Sequence, residues 1–279
     1  MFKSVSLIVS FYNRIDFLKL IFAALEQQSY LDFEVIIADD GSRVEIVQEL
    51  ELQIEKASFQ VKHIWHEDIG WRKNTVLNNA IVASESNYII FIDGDCIPHP
   101  HFIEEHLNSR VPNQTICGRR VTLTKKITTK MDVSKIQKRN FHSSLFVKLL
   151  FASFLGKEKT RLRHMFRITN KTIRQIFIKD KSTGILGCNF SLWKEDLMKL
   201  NGFDERFIYP GMGEDSDLEN RLRQNGVKLV SKKLLVTVYH LYHNPLEPYN
   251  VINYQLYNDN LNNNVIFTPF GINKTTDLH

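Results

Sequence analysis

At 279 residues, with 43% hydrophobic and 24% charged side chains, the chain can bury a core as one large domain or as one domain with an appendage. Three scattered cysteines, Cys96, Cys117 and Cys188, exclude a disulfide framework and point to a reducing compartment. The net charge of +5 conceals a divide: residues 119–181 hold 18 Lys and Arg against three acids, a local +15, while the remainder sums to −10.

Residues 1–10 carry Lys3 but no long apolar run or small-residue cleavage site, so they do not read as a signal peptide. The longest apolar stretch, 145–155, is eleven residues with Lys148 inside it, too short to span a bilayer. A basic middle in an otherwise acidic chain implies an anionic partner; phosphate-bearing lipid, anionic glycan and nucleic acid all fit on charge.

In chain order, 5–10 reads as a first strand and 16–28 as a helix, with Phe17, Leu18, Leu20, Ile21 and Leu25 on one face. A second strand over 33–38 ends in Asp39-Asp40-Gly41-Ser42, and a helix follows from Val44. A third strand is expected over 61–65, a helix over 74–83, and a strand over 88–92 that runs into Asp93-Gly94-Asp95. Strands alternating with helices of this length predict βαβ units and a mostly parallel sheet. Further on, 234–238 reads as a strand and Leu218, Leu222 and Val227 give the stretch after Asp215 one apolar face.

Two acidic turns thus stand at strand carboxyl ends, where open α/β sheets bind ligands. Burying unpaired carboxylates there is costly, so they should meet water, a cation or a ligand. A divalent metal on Asp95, beside Asp93, would clamp a diphosphate; an acidic Asp-Gly turn would look the same. No Gly-x-Gly-x-x-Gly or Gly-Lys-Ser/Thr loop is present, which disfavours dinucleotide-binding and P-loop readings. Arg72 and Lys73 are candidates to offset phosphate charge, or simply a solvated helix start.

These residues carry a resemblance. Residues 6–13, Asp39-Asp40-Gly41-Ser42, Gly70-Trp71-Arg72-Lys73-Asn74 and Asp93-Gly94-Asp95 are similar to the inverting GT-A glycosyltransferases of family 2. Gly187 to Trp193, Asn201-Gly202-Phe203-Asp204-Glu205 and 213–222 resemble the catalytic end of β-1,4-galactosyltransferases and of bacterial chondroitin-type polymerases. The likeness covers about 4–125 and 182–245 and implies a GT-A fold, α/β with a mostly parallel central sheet. By the same resemblance, Asp40 would accept from the uracil N3–H, Ser10 and Tyr12 would pack on base and ribose, and Arg72 would face base or phosphate. Asp93 would face the nucleotide of a UDP-sugar and Asp95 would bind the metal. Asp215 would be the catalytic base and Glu214 would orient the acceptor sugar. The chain departs from the galactosyltransferases at Met212, where they carry an acceptor-loop tryptophan. They also place a Met and a His three residues apart as metal ligands, where this chain has His240 and His243; nitrogen ligands suit Mn²⁺ better than Mg²⁺.

The chemistry asks for these types in any case. An inverting transfer needs a base for the acceptor hydroxyl proton, and Asp215 follows a Pro-Gly-Met-Gly loop able to close over a sugar. The plainer alternative is that Glu214, Asp215 and Asp217 offset the helix dipole, and that His240 is a packed core histidine. Four segments are expected: 1–125 for the nucleotide-sugar, a basic helical insertion over 126–181, an acceptor and catalytic half over 182–245, and an Asn-rich tail over 246–279. The insertion reads as two amphipathic helices that could lie on an anionic membrane, cover the acceptor or form a dimer contact. Nucleic acid is disfavoured, because the insertion offers no aromatic stacking platform. The expectation is a cytoplasmic Mn²⁺-dependent, inverting transferase, peripheral on the inner membrane face, moving sugar from a UDP-sugar to a glycan or lipid-linked glycan of the cell surface. The rivals are a sugar-nucleotide-forming nucleotidyltransferase and a non-catalytic nucleotide- or glycan-binding module.

Overall fold

Val5–Phe11 (β1) is buried along almost its whole length, the mark of a strand covered on both faces. The computed structural model describes residues 3–138, 141–154, 167–177, 183–211, 213–244 and 249–274. After β1 come α1 (Ile15–Leu25), β2 (Phe33–Asp39), α2 (Val44–Ile54), β3 (Gln60–Trp65), α3 (Lys73–Ala83) and β4 (Tyr88–Asp93), the expected alternation. Next are β5 (Cys96–Pro98), α4 (Phe102–Ser109), β6 (Gln114–Cys117) and β7 (Arg119–Thr122). The basic stretch supplies α5 (Lys125–Thr128), α6 (Val133–Ile136), α7 (Phe141–Phe154) and α8 (Lys171–Phe177). The chain then forms β8 (Phe190–Trp193), α9 (Lys194–Lys199), α10 (Glu214–Gln224), β9 (Lys228–Ser231), β10 (Thr237–His240) and α11 (Val251–Asn262).

Seven strands make one sheet in the order β3-β2-β1-β4-β8-β6-β9. Four of its six pairings are parallel; only β8 runs against its neighbours β4 and β6. Side-chain alternation divides the core between the sheet's two faces. Leu7, Val9, Ile37, Ile90 and Ile92 pack with α1 on one face, whereas Ile8, Ile36, Ile89 and Phe91 pack with α3, α9 and α10 on the other. A smaller sheet, β5-β10-β7, lies beyond the end of β4. Its Tyr239 and Val238 join the first core face.

The helix expected over 16–28 ends at Leu25. The strand expected over 234–238 begins only at Thr237, because Leu235 and Val236 N–H both bond the Lys232 carbonyl in a turn. Leu234 takes the left-handed conformation there (φ 63°). The Asn-rich tail contains a helix: Asn250 caps α11 by accepting from the Ile252 and Asn253 N–H groups. Within the basic stretch, α7 buries Phe141, Leu145 and Leu149 at four-residue spacing and exposes Val147, Lys148 and Leu150. The remainder of that stretch (139–140, 155–166 and 178–182), Met212 and residues 275–279 lie outside the described residues, as does 245–248.

Candidate active site

Parallel register brings the two acidic turns together. Ser10 is the partner of Asp93 and Phe11 the partner of Asp39, so three strand ends open side by side. Ser10 Oγ donates to Asp93 Oδ1 at 2.8 Å. Asp40 accepts from the Arg72 backbone N–H at 3.0 and 3.1 Å and pairs with His66 Nε2 at 2.8 Å. Burial pushes the Asp40 carboxyl up, against the pull of His66 and Arg72. The Arg72 guanidinium turns to the Trp71 carbonyl instead (2.9 Å). Half-exposed Tyr12 donates to Asp68 (2.9 Å).

A nitrogen and oxygen cluster stands beside it. Asp95 Oδ2 lies 3.3 Å from His240 Nε2 and 3.1 Å from His243 Nε2. Among the described residues this is the one group of three with ligand atoms close enough to share a metal ion. Its two sources are far apart in sequence. β4 delivers Asp95, and the end of β10 delivers the histidines, tied down by the Leu241 N–H on the Asp95 carbonyl (2.8 Å). The intervening Gly94 is needed for space, since a Cβ there would stand 2.6 Å from the Ser10 carbonyl oxygen. The Asp95 carboxylate also raises His243.

The third group comes from the start of α10. Gly213 adopts φ 130° as its N-cap, a conformation open to glycine alone in practice. Glu214 is buried, and half-buried Asp215 accepts from the Gly187 N–H at 2.7 Å. A Cβ on Gly187 would lie 2.6 Å from Asp215 Oδ1, so only glycine admits the carboxylate. Lys73 joins this group to the nucleotide end, with Nζ 3.1 Å from Glu214 Oε1 and 3.3 Å from Asp93 Oδ1. Burial works to lower the Lys73 ammonium, but Asp93, Glu214 and Asp215 outweigh it and hold the group well above its ordinary value. Asp215 is pushed up to about 6, by burial first and by the Glu214 carboxylate second, with Lys73 opposing. Ser10, Lys73, Asp93, Gly187, Glu214 and Asp215 line one small cavity floored by Phe91, Phe190 and Phe203.

Ser10, Asp93, Glu214 and Asp215 therefore meet at that cavity, and Asp95, His240 and His243 form the adjoining cluster; Tyr12, Asp40 and Arg72 do not line the cavity, Asp40 being held by the Arg72 N–H and Tyr12 by Asp68. Lys73 went unread as a link, because its partner Glu214 is 141 positions away. Asp217 is not a mere helix-start acid: fully buried, it holds Arg221 at 2.7 Å, and Arg221 also donates to the Gly202 carbonyl. The i, i+4 spacing of Asp217 and Arg221 was the available signal.

A mostly parallel sheet with carboxylates at its strand ends, crossed by a second carboxylate pair on a helix start, defines a GT-A glycosyltransferase. The chain belongs to glycosyl transferase family 2, whose model matches residues 6–200; a second model, for a galactosyltransferase domain described as N-terminal, matches 167–244. It is 26% identical to the chondroitin synthase of Escherichia coli over 228 residues, 79% of this chain but 32% of that protein. The Pasteurella multocida chondroitin synthase is 26% identical over 79% of this chain and 23% of its own length. A validoxylamine A glucosyltransferase of Streptomyces hygroscopicus is 23% identical, over 80% of this chain and 52% of that one. The chain thus spans a third or less of the two chondroitin synthases. Among solved structures, the mannosyltransferase PcManGT of Pyrobaculum calidifontis, in complex with GDP-Man and Mn²⁺, shares the fold at TM-score 0.52 and 14% identity, over 86% of this chain and 57% of that one. TarS of S. aureus follows at 0.51 and 14%, over 86% and 37%. No helix among the described residues is long and apolar enough to cross a membrane.

Proposed function

We propose that the chain transfers a hexose or related sugar from a UDP-sugar to a hydroxyl of a growing cell-surface glycan, with inversion at the anomeric carbon. The observation that carries this reading is two neighbouring centres: Asp95 just past β4 with His240 and His243 from the end of β10, and Glu214 with Asp215 at the start of α10, the latter joined by Lys73 to Asp93. In this reading Asp40 accepts from the uracil, Tyr12 and Ser10 flank base and ribose, and Arg72 and Asp93 line the nucleotide's path. Asp215 Oδ takes the acceptor hydroxyl proton as that oxygen bonds to the anomeric carbon and the sugar–diphosphate bond breaks. Glu214 orients the acceptor through its free Oε2, a buried oxygen with no hydrogen-bond partner among the described residues.

The donor set fits a divalent ion. One carboxylate and two imidazoles converge, and the two-nitrogen share favours Mn²⁺ over Mg²⁺. When bound, the ion would neutralise charge on the departing diphosphate. The likeness to chondroitin synthases supports a polysaccharide product, and the basic residues of 126–181 support contact with the anionic inner face of the cell membrane.

A screen of UDP-sugars with Mn²⁺, scored by released UDP, tests the reading. Slow hydrolysis of one donor, abolished by chelation and restored by Mn²⁺, is expected. Turnover of no UDP-sugar, together with formation of a sugar nucleotide from sugar phosphate and UTP, would replace it with a nucleotidyltransferase.

A further inference from the structure

Residues 249–264 contain seven Asn, three Tyr and one Gln but a single charge, Asp259. Their inner face is locked beside the catalytic loop. Fully buried Asn253 donates to the Tyr209 carbonyl at 2.9 Å, and its Cβ faces Gly213. Asn260 donates to Asp217 at 2.8 Å and accepts from Arg206 at 2.9 Å. That fixes the outer face next to the loop that ends in Glu214 and Asp215. Large side chains stand out on it: Tyr249 is 56% exposed, Tyr254 41%, and their ring centroids are 5.7 Å apart. Tyr209 is partly exposed on the adjoining loop.

We infer that Tyr249 and Tyr254, with the amides of α11, form an extended acceptor subsite that binds uncharged sugar units beyond the one that reacts. The inference rests on the glycosyl-transfer reading above and names its acceptor class. An exposed aromatic pair beside the loop that carries Glu214 and Asp215 is the kind of apolar surface a ligand covers, since soluble proteins otherwise avoid such patches. Tyrosine pairs an apolar ring with a wet hydroxyl, which matches a pyranose with its C–H face and hydroxyl rim. Asn and Gln both donate and accept, as sugar hydroxyls do. The absence of Lys and Arg from 249–264 argues against anionic lipid or uronate as occupant of this face.

The test is binding of the full chain to an array of neutral and uronate-containing oligosaccharides of graded length. Wild type should bind neutral members, more strongly with length, and keep that binding at high salt. Tyr249→Ala/Tyr254→Ala should bind roughly tenfold more weakly, and Tyr249→Phe/Tyr254→Phe, which keeps both rings, near wild type. Released UDP is measured in parallel on all three. Loss of UDP release from wild type with retained glycan binding overturns the transferase reading and leaves the subsite standing. The subsite is overturned by wild type binding no neutral glycan, by equal binding of the Ala variant, by loss of binding in salt, or by self-association that depends on the two tyrosines.

Discussion

Asp215 and Lys73 occupy one buried electrostatic unit, and their substitutions should separate chemistry from binding. Asp215→Asn keeps size and hydrogen bonds but removes the proton acceptor. Transfer should fall by about 10²–10⁴, the scale of a lost general base, with UDP affinity by calorimetry unchanged. Because folding raises this carboxyl to about 6, its stability contribution is full below its ordinary range and is lost as pH rises through 6. The Asn variant should therefore melt above wild type at neutral pH, with the gap closing as pH falls toward 4. Wild-type kcat/KM should decline below pH about 6 as the base protonates. Lys73→Met leaves Asp93, Glu214 and Asp215 without their shared cation, so that acid limb should move up by roughly one unit. Lys73→Arg should leave the limb in place; an unmoved limb in the Met variant would show that Lys73 only packs. Asp217→Ala should act on folding instead, costing about 3–5 kcal/mol in denaturant titrations because Arg221 stays buried and unpaired.

At the scale of elements, the site depends on strand ends meeting. β1, β2 and β4 run parallel, so Ser10, Asp39 and Asp93 arrive at one edge, and β10 returns from the second sheet to bring His240 and His243 onto Asp95. Asp95→Ala and His243→Ala should each abolish Mn²⁺-dependent UDP binding while circular dichroism stays native. Unchanged affinity in both would remove the metal assignment. Gly187→Ala tests the helix-start carboxylate from the other side. Its methyl would enter contact at 2.6 Å, so transfer should drop as Asp215 is displaced, with UDP binding retained.

Over the whole molecule, charge is segregated. Residues 119–181 are cationic, and their described helices show apolar side chains next to cations: Val147, Lys148 and Leu150 on α7, Lys171, Ile173 and Ile176 on α8. The chain should co-sediment with anionic liposomes and release as salt rises, because such contacts are screened. Equal recovery with neutral and anionic liposomes at low salt would assign those helices to another partner. Residues 249–264 carry almost no charge, so the same liposomes should compete poorly for that face.

The sequence by itself determined what is local. Uninterrupted apolar runs ending in Asp-Asp-Gly-Ser and Asp-Gly-Asp placed two carboxylate turns at strand ends, while His240 and His243 stood out only through the resemblance to the galactosyltransferases. Tertiary structure alone decided what depends on distant partners. The reach of Lys73 to Glu214, the docking of Gly187 under Asp215 and the pairing of β10 with β5 each join residues far apart in the chain. No periodicity records them, because periodicity reports one element's exposure to core and solvent, whereas these contacts follow from how separate elements cross. Asp217 and the Asn-rich tail show the same limit: a first-turn acid became an internal ion pair, and an Asn-rich tail became the helix that holds the loop before α10. Burial changed both, and burial is a property of the packed molecule.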